Sequence, residues 1–385
     1  MLTNSALAAV LSRATDAGDV PGVAVCIANR DGVIYDAAFG QRSLATGVAM
    51  TTDTVCWIAS MTKAVTAAAA MQLVEQGKLT LDDPIERVLP ALGRVPVLEG
   101  FDAAGVARLR APKTKMTLRH LLTHTSGFTY DMFSADMARY QKANTIPGVA
   151  SCKNVALTTP LLFDPGERWA YGISIDWVGK VVEAVSGLTL GATMKSNIFD
   201  PLGMTETGFK IRDDQRQRLA AIHIRKPAGL VATSIELPAE PEFEMGGGGL
   251  YSTVGDYMKF ARMILNGGVL DGRRLLKAET VAAMSTHAMG AIRARALKSA
   301  DLGATRDMDF TEGMEWGLSF MINPQPLATG RSAGSLAWAG LANTYYWIDP
   351  AKGIAGIFAA QVFPFAEAQV LALFQAFETE VYRAL

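Results

Sequence analysis

The chain has 385 residues, 50% of them apolar and 19% charged, with a formal net charge of −1. That is enough apolar material for a large core, and the balanced charge, with no basic run, gives no electrostatic support to a nucleic-acid or anionic-membrane partner. No apolar stretch reaches the ~18 residues a bilayer span needs, and Cys26, Cys56 and Cys152 are too few and too scattered for a disulfide framework.

Met1-Leu2-Thr3-Asn4-Ser5-Ala6 has no basic flank before Leu7-Ala8-Ala9-Val10-Leu11, and Arg13 and Asp16 follow soon after. The segment is therefore expected to be an amphipathic helix rather than a signal peptide, and the protein cytoplasmic. Asn29-Arg30-Asp31-Gly32 separates two apolar runs, which predicts a β-hairpin. Thr54-Val55-Cys56-Trp57-Ile58 then reads as a strand-like approach to an alanine-rich helix that ends near Gly77, with Ser60 at the junction.

Ser60 and Lys63 are three residues apart, a spacing that puts both side chains on one helical face. A serine at a helix head also meets unpaired N–H groups that favour an oxyanion. A hydroxyl with an amine close enough to take its proton is what a Ser-Lys hydrolase needs. The plainer reading is an N-cap serine beside a solvated lysine. The S-x-x-K pattern occurs once, about what chance supplies, so other residues must decide.

Leu81-Asp82-Asp83-Pro84-Ile85 opens a helical, loop-rich region that lasts to about residue 230. It contains a short helix around residues 116–127, a Pro165-Gly166 turn that delivers Trp169 and Tyr171, and a helix at about 175–186. Gly246-Gly247-Gly248-Gly249 breaks the chain before a helix at 254–266. Strands are expected at 316–322, 336–338, 343–348 and 353–362, and a last helix at 366–382. Strands at both ends and helices between imply one sheet built from both termini, with residues 1–70 and 230–385 as a sheet domain and 71–229 as an inserted, mainly helical domain.

Three tempting patterns carry little. Gly330-Arg331-Ser332-Ala333-Gly334 matches a nucleophile elbow, but a proline-rich loop precedes it and a strand-like run follows, so Ser332 is expected to be a loop residue. His120 and His124 have zinc-helix spacing without the glutamate of H-E-x-x-H, so packing or capping is expected and no metal site. The four glycines lack the following Lys-Ser/Thr of a phosphate cradle. Tyr171, alone, would be a packed aromatic with a satisfied hydroxyl.

Six segments in one order change that weighting. Ser60-Met61-Thr62-Lys63, Leu121-Leu122-Thr123-His124-Thr125-Ser126-Gly127, Pro165-Gly166-Glu167-Arg168-Trp169-Ala170-Tyr171, Pro201-Leu202-Gly203-Met204, Gly246-Gly247-Gly248-Gly249-Leu250-Tyr251-Ser252-Thr253 and Trp338-Ala339-Gly340 together resemble the serine β-lactamases and penicillin-binding proteins. Within that superfamily the chain is most similar to the family VIII carboxylesterases, over nearly its whole length. The resemblance implies an α/β (α+β), β-lactamase-like fold: a mainly antiparallel sheet flanked by helices, with the helical domain inserted.

It also implies Ser60 as nucleophile, Lys63 as its proton acceptor, Tyr171 as the second member of the base pair, and the backbone N–H groups of Ser60 and Leu341 as oxyanion hole. Trp338, Ala339 and Gly340 stand where class C β-lactamases carry Lys-Thr-Gly, so an uncharged indole replaces the lysine that would meet a β-lactam carboxylate. Ala339, where many family members have glycine, is expected to narrow the site. Tyr130, Phe128 and Trp169 are expected pocket walls. The implied activity is hydrolysis of small neutral carboxylic esters through an acyl-enzyme, without cofactor. Acyl transfer, weak β-lactamase or D-amino-acid amidase activity, and a non-turnover recognition module are the alternatives. The expected partner is a small-molecule ester; the sequence sets no oligomeric state.

Overall fold

Gly22–Asn29 is apolar along nearly its whole length, and a strand of that kind needs cover on both faces. A computed structural model, which describes residues 4–385, supplies that cover. The central sheet contains β1 (Gly22–Asn29), β2 (Val33–Ser43), β3 (Val48–Ala49), β4 (Glu315–Trp316), β5 (Met321–Ile322), β6 (Leu336–Gly340), β7 (Thr344–Asp349) and β8 (Ile354–Ala359). Its order is β4-β5-β6-β7-β8-β1-β2-β3, and every neighbouring pair is antiparallel. The two chain ends thus meet where β1 pairs with β8. The β1–β2 hairpin turns where Asp-Gly predicts it, with Asn29 Oδ1 accepting from the N–H groups of Asp31 and Gly32, both at 2.9 Å.

The cover comes from helices α1 (Asn4–Asp16), α2 (Thr62–Glu75), α3 (Ser174–Ser186), α4 (Val254–Leu265) and α5 (Ala368–Arg383). Leu7 and Leu11, one turn apart on α1, are fully buried. Alternation along β7 sends Tyr345 to stack on Phe374 of α5, centroids 4.4 Å apart, and Tyr346 to Tyr257 of α4 at 5.3 Å. α1 and α5 pack together on one face, and α4 lies along β1 and β8 on the other. No helix of the described residues is long and apolar enough to cross a membrane.

Between β3 and β4 the chain is mostly helix and loop, with short hairpins such as Val97–Phe101 with Ala107–Arg110. α2 runs through the middle, and its alanines explain how. Eleven of its 14 residues are buried, and a helix apolar on every side is one that neighbours enclose. It packs against α3. A boundary at residue 70 falls inside α2, so the two-domain division remains a proposal in which α2 belongs to both parts.

Two strand expectations need correction. Residues 316–322 form not one strand but the β4–β5 pair, because Gly317 N–H closes a tight turn on the Phe320 carbonyl at 2.8 Å. β8 stops at Ala359, Gln361 takes a left-handed φ of 54°, and Val362–Phe363 pairs instead with His223–Ile224.

Candidate active site

Ser60 does not sit in α2 itself but in the 3-10 turn just before it, Ala59–Met61. Ala59 is left-handed, φ 43°, a conformation that costs an alanine about 1 kcal/mol or more and needs support from its surroundings. Trp57 gives that support: its N–H and C=O both bond the Gln361 side-chain amide at 3.0 Å, and its indole donates to the Gly248 carbonyl at 2.7 Å. The Ser60 hydroxyl is not used as a cap, since the first residue before α2 is Met61 and no side chain caps that helix. The N-cap reading of Ser60 therefore fails.

Lys63, in the first turn of α2, is 1% exposed. Its Nζ donates to Ser60 Oγ at 3.1 Å, to the Tyr130 hydroxyl at 3.0 Å and to the Gly247 carbonyl at 2.6 Å. It also lies 4.7 Å from the centre of the Tyr171 ring. Burial pushes the amine down to about 7, against the opposing pull of the Asp176 carboxylate. A lysine in that range is partly neutral at physiological pH and can accept a proton.

Tyr171 enters from the Pro165-Gly166 turn. Its segment is held where Ala170 N–H meets the His124 carbonyl at 2.9 Å and where the Tyr130 N–H meets the Tyr171 carbonyl at 3.2 Å. The hydroxyl accepts from Trp338 Nε1 at 3.0 Å. Burial raises it well above the ordinary phenol range, while Ser60 and Trp338 pull the other way. It is a neutral O–H at any working pH.

The end of β6 is laid against the turn that carries Ser60. A Cβ on Gly340 would lie 2.2 Å from the Ile58 carbonyl oxygen, so only glycine permits the approach. Leu341 follows at once, and it lines the same cavity of about 360 Å³ as Ser60, Tyr130, Tyr171, Trp338, Ala339 and Gly340. Met132, Phe133, Val149, Met308 and Phe365 make much of the remaining wall apolar.

Three pocket expectations change. Phe128 is fully buried and stacks on Trp177 at 6.0 Å, away from the cavity. Trp169 is 4% exposed and packs on Trp316 at 5.4 Å, behind Tyr171. Both rings belong to the core. Ala339 borders the cavity through its backbone, but it pairs with Tyr345 in the register of β6 and β7. Alternation therefore turns its methyl towards α5, opposite to Trp338, and it does not narrow the site.

Three other participants were not legible as such. Tyr130, expected as a wall, is a hydrogen-bond partner of Lys63. The glycine run, dismissed as a phosphate cradle, wraps the lysine: Gly246 accepts from Thr66 Oγ1 at 2.7 Å, and Gly247 from Lys63. Asp176, fully buried in the first turn of α3, accepts from Gly247 N–H at 2.8 Å. The available signal was an acid inside the apolar run Ile173-Ser174-Ile175-Asp176-Trp177-Val178, five residues after Tyr171.

Ser332 and the two histidines take structural places. Ser332 lies in a loop, its N–H on Asp349 and its carbonyl on Asn323. His120 completes a capping box with Thr117, and His124 is buried and held neutral by desolvation and by Lys63. Among the described residues, no group of His, Cys, Asp and Glu could hold a metal ion.

A serine, a partly neutral lysine and a tyrosine at one cavity, on an antiparallel sheet flanked by helices, define the class of β-lactamase-like serine hydrolases and acyltransferases. The chain belongs to the Beta-lactamase family, whose model matches residues 7–379. It is 32% identical to monacolin J acid methylbutanoyltransferase of Aspergillus terreus, over 96% of this chain and 93% of that protein. It is also 32% identical to lovastatin esterase of Penicillium rubens, over 96% of each. The unliganded structure of simvastatin synthase from Aspergillus terreus superposes with a TM-score of 0.83 at 30% identity, covering 98% of this chain and 97% of that one.

Proposed function

We propose that this protein is a serine carboxylesterase of the family VIII type, which cleaves small neutral carboxylic esters through an acyl-enzyme on Ser60. The observation that carries the reading is the buried amine of Lys63, 3.1 Å from Ser60 Oγ at the wall of a largely apolar cavity. Neutral Lys63 takes the Ser60 proton as Oγ attacks the ester carbonyl. The N–H groups of Ser60 and Leu341 meet the negative oxygen of the tetrahedral intermediate. Its collapse breaks the ester C–O bond, and the leaving alcohol takes its proton through Tyr171 from Lys63. Water then attacks the acyl-serine by the reverse route.

The cavity chemistry supports a neutral substrate. Among its lining residues are Asp131 and Asp301 but no arginine or lysine, so an anionic substrate would meet like charge and no partner. A second reading is transfer of the acyl group to an alcohol. The apolar walls favour it, because they hold an organic acceptor better than water, and a similar protein is named a methylbutanoyltransferase while another is named an esterase.

The test is release of nitrophenol from a short-chain nitrophenyl ester, with and without added alcohol. Many turnovers to free acid support the esterase. Mainly alkyl ester in the presence of alcohol moves the reading to transferase, and a single burst without turnover contradicts both.

A further inference from the structure

The Asp176 carboxylate has no ordinary structural duty. It lies in the first turn of α3, yet Ile173 is the residue that starts that helix and no side chain caps it. Asp176 is 0% exposed; one carboxylate oxygen accepts from Gly247 N–H at 2.8 Å, and the other has no partner among the described residues. A buried carboxylate left half-satisfied is costly unless a charge nearby compensates it.

The compensating charge is within reach. Gly247, whose N–H meets Asp176, offers its carbonyl to Lys63 Nζ at 2.6 Å, so one residue is held from both sides by the acid and the amine. Glycine is required there, because a Cβ would stand 2.4 Å from Asp176 Oδ2. The other partners of Lys63 Nζ are hydroxyls, of Ser60 and Tyr130. We propose that Asp176 is a positioning residue of this centre: it clamps Gly247 against Lys63 and governs the lysine's charge through its own. The inference rests on the reading of Lys63 as proton acceptor.

Electrostatics agrees with the geometry. The titratable groups around the pair are Tyr130, Tyr171, His124 and Cys152. Burial raises both phenols and the thiol and lowers the imidazole, so all four are uncharged near neutrality. Asp176 itself is raised by burial, against the pull of Lys63, so the charges of the acid and the amine depend on each other.

Two substitutions separate the clamp from the charge, each read as the pH profile of kcat/KM on a nitrophenyl ester. In Asp176→Asn an amide oxygen still accepts from Gly247 while the charge is gone. The acid limb should move to lower pH by about one unit, because removing an anion destabilises the protonated amine, and the plateau should hold within ~3-fold. Asp176→Ala loses clamp and charge together, and its plateau should drop ~10-fold or more as the Gly247 carbonyl swings free.

A folded Asp176→Asn with the wild-type limb, or a folded Asp176→Ala with the wild-type plateau, overturns the proposal. A Lys63→Ala protein that keeps wild-type turnover contradicts the assignment of Lys63 instead. One measurement needs no change at Asp176. The 13Cε resonance of Lys63 in labelled wild-type protein, assigned by its loss in Lys63→Ala, should titrate in two steps, the lower one tracking Asp176. A single step overturns the inference.

Discussion

The indole of Trp338 donates its N–H to the hydroxyl of Tyr171 at 3.0 Å. A phenol oxygen that accepts from the indole directs its own proton elsewhere, and the open side is the cavity with Ser60. In the proposed mechanism Trp338 therefore orients the acid, Tyr171. Trp338→Phe keeps the apolar bulk and removes the donor. A neutral hydrogen bond contributes roughly 1 kcal/mol, so kcat/KM on a nitrophenyl ester should fall about 5-fold with the thermal melt little changed.

A lysine at the same position is a poor probe of substrate charge. Trp338 is wedged between Trp316 at 4.7 Å and Tyr171 at 4.9 Å, and replacing a buried tryptophan by a thin chain costs about 3–5 kcal/mol. Trp338→Lys should melt well below wild type. The selectivity claim is better tested on unaltered protein, which should prefer a short-chain nitrophenyl ester to a chromogenic cephalosporin by ~100-fold or more in kcat/KM. Equal efficiency on both would place the chain among the lactamases.

Lys63 sets a pH dependence of both activity and stability. In the proposed mechanism the neutral amine is the working form, so kcat/KM should rise with pH through about 7. The folded-state value lies below the ordinary 10.5, so between those two values the unfolded chain holds a proton that the folded chain lacks. Stability on this account increases with pH across that window, and burying the charged amine costs most below it. Lys63→Met should abolish turnover and, by leaving the buried Asp176 carboxylate without its compensating charge, lower the melting temperature near pH 7, a loss that adding Asp176→Asn should relieve; calorimetry checks both, and an unchanged melting temperature in Lys63→Met would contradict the pairing.

Neighbours on β6 should behave in opposite ways. Ala339→Gly removes a methyl that faces α5, so ester turnover should stay within ~2-fold of wild type. Gly340→Ala drives a methyl into the Ile58 carbonyl and should cost ~100-fold in kcat, because it moves the Leu341 N–H relative to Ser60. Steady-state kinetics on the two proteins decides.

Legibility in the sequence divided along physical lines. The hairpin at Asp31-Gly32, the alanine-rich helix after Ser60 and the apolar strand pairs near the C-terminus follow from local rules, and so does the meeting of Ser60 with Lys63. What could not be read depends on long-range approach. Phe128 and Trp169 look like pocket aromatics in the chain, but Trp177 and Trp316 claim them for the core. Ala339 was misplaced because the side a residue faces depends on register, and β6 takes its register from β7. Asp176 and Gly247 are 71 residues apart, and no spacing rule joins them.

The central claim is that Ser60 carries the acyl group, and mass spectrometry of the trapped intermediate tests it most directly. Protein mixed with a nitrophenyl ester and quenched in acid, where Lys63 is protonated and deacylation stalls, should gain the mass of one acyl group on the peptide that contains Ser60. Ser60→Ala should gain none and lose ~10³-fold or more in turnover, while Ser332→Ala should match wild type. An acyl group on Ser332, or wild-type turnover without Ser60, would contradict the account.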